Sequence, residues 1–177
     1  QFVIGEGKAR GGVEVIVVVD KNGAFAGAGT SNNPAFVNFP PSVVTKLDDP
    51  TANLVVHHNH PPGSETAFSA YDLGGLADKR GIGWMLLHKY EGTAAVRAKD
   101  WLFQPRAEGG PAIEGLTAAF KMGTSIAQFE IFKQKIDVGQ DDGEDVAKDM
   151  ALRALQKVGA VAYRSSFKRE INSDAGN

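Results

Sequence analysis

The chain has 177 residues, 42% hydrophobic and 23% charged, which is enough for one globular domain with a core and excludes a fibrous or low-complexity protein. A net charge of −2 and a pI near 6.1 provide no global field for nucleic acid or an anionic membrane. With no cysteine there is neither a disulfide nor a thiolate metal ligand, and no apolar run reaches membrane-spanning length or forms a signal peptide.

The chain opens on Gln1 instead of methionine, so it is expected to be a piece of a longer polypeptide. Residues 1–12 carry Gly5, Gly7, Gly11 and Gly12 and read as a lead-in or an edge strand. Residues 13–20 form a β-branched run that suits a strand buried on both faces. Glu14 is the anomaly there, because a carboxylate entering an apolar strand is costly unless it is paired or has work to do. Lys21-Asn22-Gly23 predicts a hairpin turn, with residues 24–30 as the returning strand. Residues 32–41 are a proline-rich loop whose Phe36, Val37 and Phe39 make a brief strand or a lip over a site. Residues 42–47 read as a short helix capped by Ser42, and Asp48-Asp49-Pro50 turns the chain into the next strand.

That strand carries the densest chemistry in the sequence. Three of the four histidines, His57, His58 and His60, follow the apolar run Leu54-Val55-Val56, and Pro61-Pro62 ends the strand. Side chains alternate along an extended backbone, so His58 and His60 share one side while His57 and Asn59 share the other. After a loop, Ser69-Ala-Tyr-Asp72 has the form of a helix start, with Ser69 at the N-cap and Asp72 at the third position. That helix is expected to run to about Lys79-Arg80, with Gly81 as its C-cap. Two imidazoles and one carboxylate leave a fourth tetrahedral position for water, the arrangement of a catalytic zinc site. His58, His60 and Asp72 are therefore the candidate metal ligands.

His-x-His-Pro, a loop, and Ser-x-x-Asp resemble the signature of the JAMM (MPN+, JAB) zinc metallohydrolases. The stretch from His58 to Gly63 is similar to the RadC branch, whereas Thr66-Ala-Phe-Ser69 is similar to the deubiquitinase branch. The loop between His60 and Ser69 is one residue longer than the usual pattern. The resemblance implies a mixed α/β (α+β) fold, with a central mixed sheet flanked by helices in the three-layer manner of cytidine deaminases. It implies Zn2+ on His58, His60 and Asp72, an early-strand glutamate as general base, and a serine stabilising the oxyanion. Glu14 and Ser69 match those roles, with Glu6 as the fallback base. The activity implied is a metallopeptidase or deubiquitinase-like isopeptidase acting on a peptide or ubiquitin-like protein. The alternative is a RadC-like metal-dependent nuclease acting on DNA, as the toxic tip of a larger secreted effector with an immunity or scaffold protein as partner. A non-catalytic scaffold is the third class, and the intact ligand set speaks against it. No membrane is implied; a soluble domain is expected, acting in the cytoplasm, whether or not a larger secreted protein delivers it.

Downstream, residues 81–90 read as a core strand and residues 94–101 as the returning arm of a second hairpin. His88, within the apolar strand, is expected to be a satisfied structural residue and not a ligand. Residues 105–111 are the best boundary, dividing a catalytic core over 1–104 from a helical extension over 112–177 that packs on it. Residues 113–136 have helical spacing, at Leu116, Phe120, Ile126, Phe129 and Ile131-Phe132, with Gly123 and Thr124-Ser125 as a break into two helices. The acidic stretch 139–145 lacks the full calcium-loop pattern and reads as a solvated turn. Asp145 is expected to cap a helix over 146–158, with Met150, Leu152 and Leu155 inward and Gly159 closing it. A last short strand over 161–163 and a frayed tail complete the chain. Because the family core usually begins with a helix before its glutamate strand, the helices after Pro111 are expected to cover that place.

Overall fold

A computed structural model describes residues 2–30, 32–33, 37–99, 112–134 and 143–167. Its centre is a six-stranded mixed sheet in the order β2-β1-β3-β4-β5-β6, with helices on both faces. The strands are β1 (Val15–Val19), β2 (Phe25–Thr30), β3 (Leu54–Asn59), β4 (Ile82–Lys89), β5 (Gly92–Ala98) and β6 (Val161–Ser165). All neighbours are antiparallel except β3 and β4, which run parallel and are joined through helix α3 (Ala70–Asp78). A parallel pair needs such a crossover, and this one carries the histidine strand directly into the Ser69-capped helix.

Alternation along the strands sorts the residues into two cores. Ile16, Val18, Leu54, Val56, Met85 and Leu87 face one side and pack with Leu73 and Leu76 of α3. Val15 and Val17 face the other side, against Val3 and Ile4. Those last residues belong to helix α1 (Phe2–Ala9), where an edge strand or lead-in was expected. Gly11 and Gly12, both at φ 85°, end α1 in the left-handed region that glycine enters without strain. Gly7 lets the helix approach the sheet, since a Cβ there would lie 2.6 Å from the Asn59 side-chain nitrogen and 2.7 Å from the Val13 carbonyl. Packing, not propensity, makes this segment helical.

The later helices consequently lie elsewhere than expected. Helix α4 (Ala112–Gln134) and helix α5 (Gly143–Lys157) pack on the α3 side, where Leu116, Phe120, Ala151 and Leu152 join the larger core. The place before Glu14 is taken by α1. Residues on both sides of 105–111 share one cluster, and β6 completes the sheet beside β5. The boundary 105–111 itself lies outside the described residues, as do Phe36 and residues 139–142.

Helix α4 is continuous through Gly123, which faces Ala151 of α5 at a close crossing where a Cβ would sit 3.2 Å from the Ala151 Cβ. Thr124 stays helical by donating its hydroxyl to the Phe120 carbonyl at 2.9 Å. Leu116 and Phe120 are buried, but Ile126, Phe129 and Phe132 face solvent at 57–83% exposure. Apolar spacing marked the helix without telling which of its apolar residues the core uses.

Other local expectations shift modestly. Helix α2 (Pro41–Val44) starts after Pro40, and Ser42 is not its cap; its hydroxyl donates to the Ala26 carbonyl at 2.9 Å. Helix α3 ends with Lys79 as C-cap, and Gly81 does not close it. Gly81 is needed because a Cβ would collide with the Lys46 carbonyl oxygen. Asp145 lies within the first turn of α5 and not at its cap. Gly159 does close α5, at φ 80°. No helix among the described residues is long and apolar enough to cross a membrane.

Candidate metal centre

The carboxyl end of β3 and the amino end of α3 meet over the α3 face of the sheet. Strand alternation brings His58 and His60 together there, with ring centroids 5.1 Å apart. Asp72 completes the group: Oδ1 lies 3.3 Å from His58 Nε2, and Oδ2 lies 3.5 Å from His60 Nε2. One ligand atom from each residue falls within 4.8 Å of the others, the compact set a single cation requires.

The capping box expected at the head of α3 is present and aims the carboxylate. Asp72 Oδ2 accepts from the Ser69 backbone N–H at 2.7 Å and from its hydroxyl at 2.8 Å, while Ser69 Oγ accepts from the Asp72 N–H at 3.1 Å. His60 Nδ1 is turned to the Glu65 carbonyl at 3.0 Å, so Nδ1 carries the proton and the Nε2 lone pair faces the site. His58 Nε2 is buried and has no hydrogen-bond partner. An orphaned buried nitrogen beside a carboxylate is what a metal ligand looks like without its ion, and the His-His-Asp donor set fits a divalent cation. The two buried histidines and the half-buried Asp72 could hold a metal ion.

The electrostatics agree. Burial pushes the His58 imidazole down to about 4, so it is neutral and able to ligate. Burial opposes charge on His60 too, but the Asp72 carboxylate outweighs it and raises that imidazole. Burial likewise opposes charge on Asp72, yet His58, His60 and the Ser69 backbone hold its carboxyl well below the usual range. A cation held at this point would supply positive charge beside the Asp72 carboxylate.

Glu14 immediately precedes β1, is 9% exposed, and brings Oε1 within 3.9 Å of His60 Nε2. Burial raises its carboxyl from 4.5 to about 7. Glu6, the fallback, sits on the exposed side of α1 beside Arg10 at 3.3 Å. Glu14, His58, Ser69 and Asp72 line one cleft of about 130 Å3, walled on its apolar side by Val37 and Phe39. The expected lip is thus formed by Val37 and Phe39.

The sequence reading missed Asn59. The β1–β3 ladder ends at Ile16 opposite His58, and the Asn59 side chain takes over the next rung. Its Oδ1 accepts from the Val15 N–H at 2.8 Å and its Nδ2 donates to the Val13 carbonyl at 3.2 Å, bracketing Glu14. The only hint is its place between His58 and His60 on the face away from the site. His88 is satisfied, as expected: it pairs with His57 at 2.9 Å and with Thr93 Oγ1 at 3.1 Å, on the face opposite the metal ligands.

Comparison of the chain with protein-family models, with curated proteins and with solved structures found no match.

Proposed function

We propose that the chain is a zinc-dependent hydrolase of the JAMM/MPN+ type, cleaving an amide or isopeptide bond in a peptide or ubiquitin-like protein. The observation carrying this reading is the unpartnered His58 Nε2, buried beside Asp72 and His60 with Glu14 next to them. His58, His60 and Asp72 would hold the ion, which when bound supplies Lewis acidity and lowers the pKa of a coordinated water to about 7. Glu14, raised to about 7, is suited to accept a proton near neutral pH and return it to the leaving nitrogen. Ser69 offers a neutral donor for developing oxyanion charge, a role that requires redirecting its O–H from Asp72. Val37 and Phe39 provide an apolar wall for substrate side chains.

The cleft favours an amide over a phosphodiester. Its described lining contains Glu14 and Asp72 but no lysine or arginine to neutralise a phosphate. Lys8, Arg10, Lys79, Arg80 and Lys89 do not gather into one basic patch on this cleft. Lys79 pairs with Asp48 and Asp78, Arg10 with Glu6, and Arg80 lines a separate cleft with Lys21 and Arg97. Lys89 donates to the Ser64 carbonyl at 2.6 Å; with Lys8 it lines a small pocket on the other side of His60.

The test incubates the zinc-loaded protein with ubiquitin-like fusions and, separately, with plasmid DNA. Cleavage of the fusion is expected, lost in Glu14→Gln without loss of zinc, and lost together with zinc in His58→Ala. Metal-dependent nicking of DNA that Glu14→Gln abolishes would overturn the peptidase reading, and full activity in Glu14→Gln would assign the base elsewhere.

A further inference from the structure

We infer that α5 is a positioning element of the metal centre: Asp145 and Lys148 grip the loop between β3 and α3 and thereby aim His60. The inference rests on the metal-binding reading above. Loop residues 61–68 begin with Pro61 and Pro62, which have no backbone N–H, and none of them belongs to a strand. His60 is attached to this loop through the Glu65 carbonyl, which accepts from Nδ1 at 3.0 Å. Whatever fixes residues 65 and 66 therefore fixes the tautomer and direction of the ring.

Two contacts from α5 do so. Asp145 Oδ2 accepts from the Thr66 N–H at 2.6 Å and from the Thr66 hydroxyl at 2.7 Å, across 79 residues of sequence. Lys148 Nζ lies 2.7 Å from Glu65 Oε2 and 2.8 Å from Glu144 Oε1. Asp145 and Lys148 are 4% and 6% exposed, whereas the Glu65 and Glu144 side chains are 42% and 51% exposed, so the charge-assisted Asp145–Thr66 contact is the sheltered one and the Lys148 pairs reach solvent on their carboxylate side. On its other side the loop is held by Lys89 Nζ, which donates to the Ser64 and Glu65 carbonyls at 2.6 and 3.4 Å. The ligand loop is thus clamped between β4 and α5, and the carboxyl-terminal segment completes a centre whose ligands all lie earlier in the chain. Hydrogen-bond partners behind a ligating histidine typically change metal affinity 10- to 100-fold.

The experiment measures zinc affinity of the full chain by competition with a chromophoric chelator, and the His60 ring-nitrogen shifts of the metal-free protein by NMR at alkaline pH. Asp145→Ala is expected to weaken zinc binding by about 10- to 100-fold and to replace the single Nδ1–H tautomer with an averaged signal. Asp145→Asn retains an acceptor oxygen for Thr66 and is expected to stay within about threefold of wild type, a rescue that loss of general stability would not give. Should Asp145→Ala fail to fold, Lys148→Met and Thr66→Val carry the same expectation of weakened binding. Folded variants with wild-type zinc affinity and unchanged His60 shifts overturn the inference. If the wild type takes up no zinc while the tautomer still shifts in Asp145→Ala, the positioning contact stands and the zinc reading falls.

Discussion

Replacing Asn59 by alanine tests how the base is held. The side-chain amide substitutes for a ladder rung at the end of the β1–β3 pairing, and both of its partners belong to buried residues, Val13 at 8% and Val15 at 4% exposure. Removing it leaves one N–H and one carbonyl without partners, at about 1–3 kcal/mol for each buried group. Some water entry beside the shortened side chain offsets part of this, so the expected loss is about 3 kcal/mol. In a chain of this length that lowers Tm by roughly 6–12 °C. Urea unfolding of the metal-free protein is the assay, with a lower midpoint at unchanged slope as the signature. Asn59→Asp keeps the acceptor for Val15 but sets a carboxylate against the Val13 carbonyl, so it is expected to cost at least as much. If Asn59→Ala falls within about 0.5 kcal/mol of wild type, the bracket around Glu14 contributes nothing and the reasoning fails.

Two further outcomes concern charge. Glu14 has a folded-state pKa above its ordinary value, so the native state binds more protons than the unfolded state between 4.5 and about 7, and stability falls as pH rises through that window. That rise corresponds to about 3 kcal/mol, which solvent at the cleft reduces to about 2 kcal/mol. Glu14→Gln should therefore stabilise the metal-free protein at pH 8 by about 2 kcal/mol, with the gain vanishing below 4.5; denaturant titrations at both pH values check it, and equal stability at pH 8 refutes it. Zinc must displace the proton that Asp72 favours on His60, so affinity should decline and proton release on binding should increase as pH falls toward the His60 titration. Calorimetry in buffers of different ionisation enthalpy measures that release, and a pH-independent affinity across the His60 titration would contradict it.

The metal group was legible because its determinants are local. A period of two places His58 with His60, and a capping box four residues long orients Asp72; neither depends on how distant segments pack. The same holds for the Lys21-Asn22-Gly23 turn and for Gly159 at the end of α5. Helix α1 was misread because Gly7, unfavourable in an isolated helix, is what allows it to reach Asn59 and the Val13 carbonyl. In α4, Gly123 was misread as a break because its role is the closeness of Ala151, a residue of another helix.

Side-chain alternation, capping and turn chemistry are contained in a few consecutive residues, and they suffice to place the histidines on one face and a carboxylate one loop away. Which glutamate stands beside them, which amide brackets it, and which helix clamps the ligand loop depend on contacts such as Thr66 with Asp145, 79 residues apart. The energy of such contacts exists only once the chain has closed on itself, so no local pattern carries it.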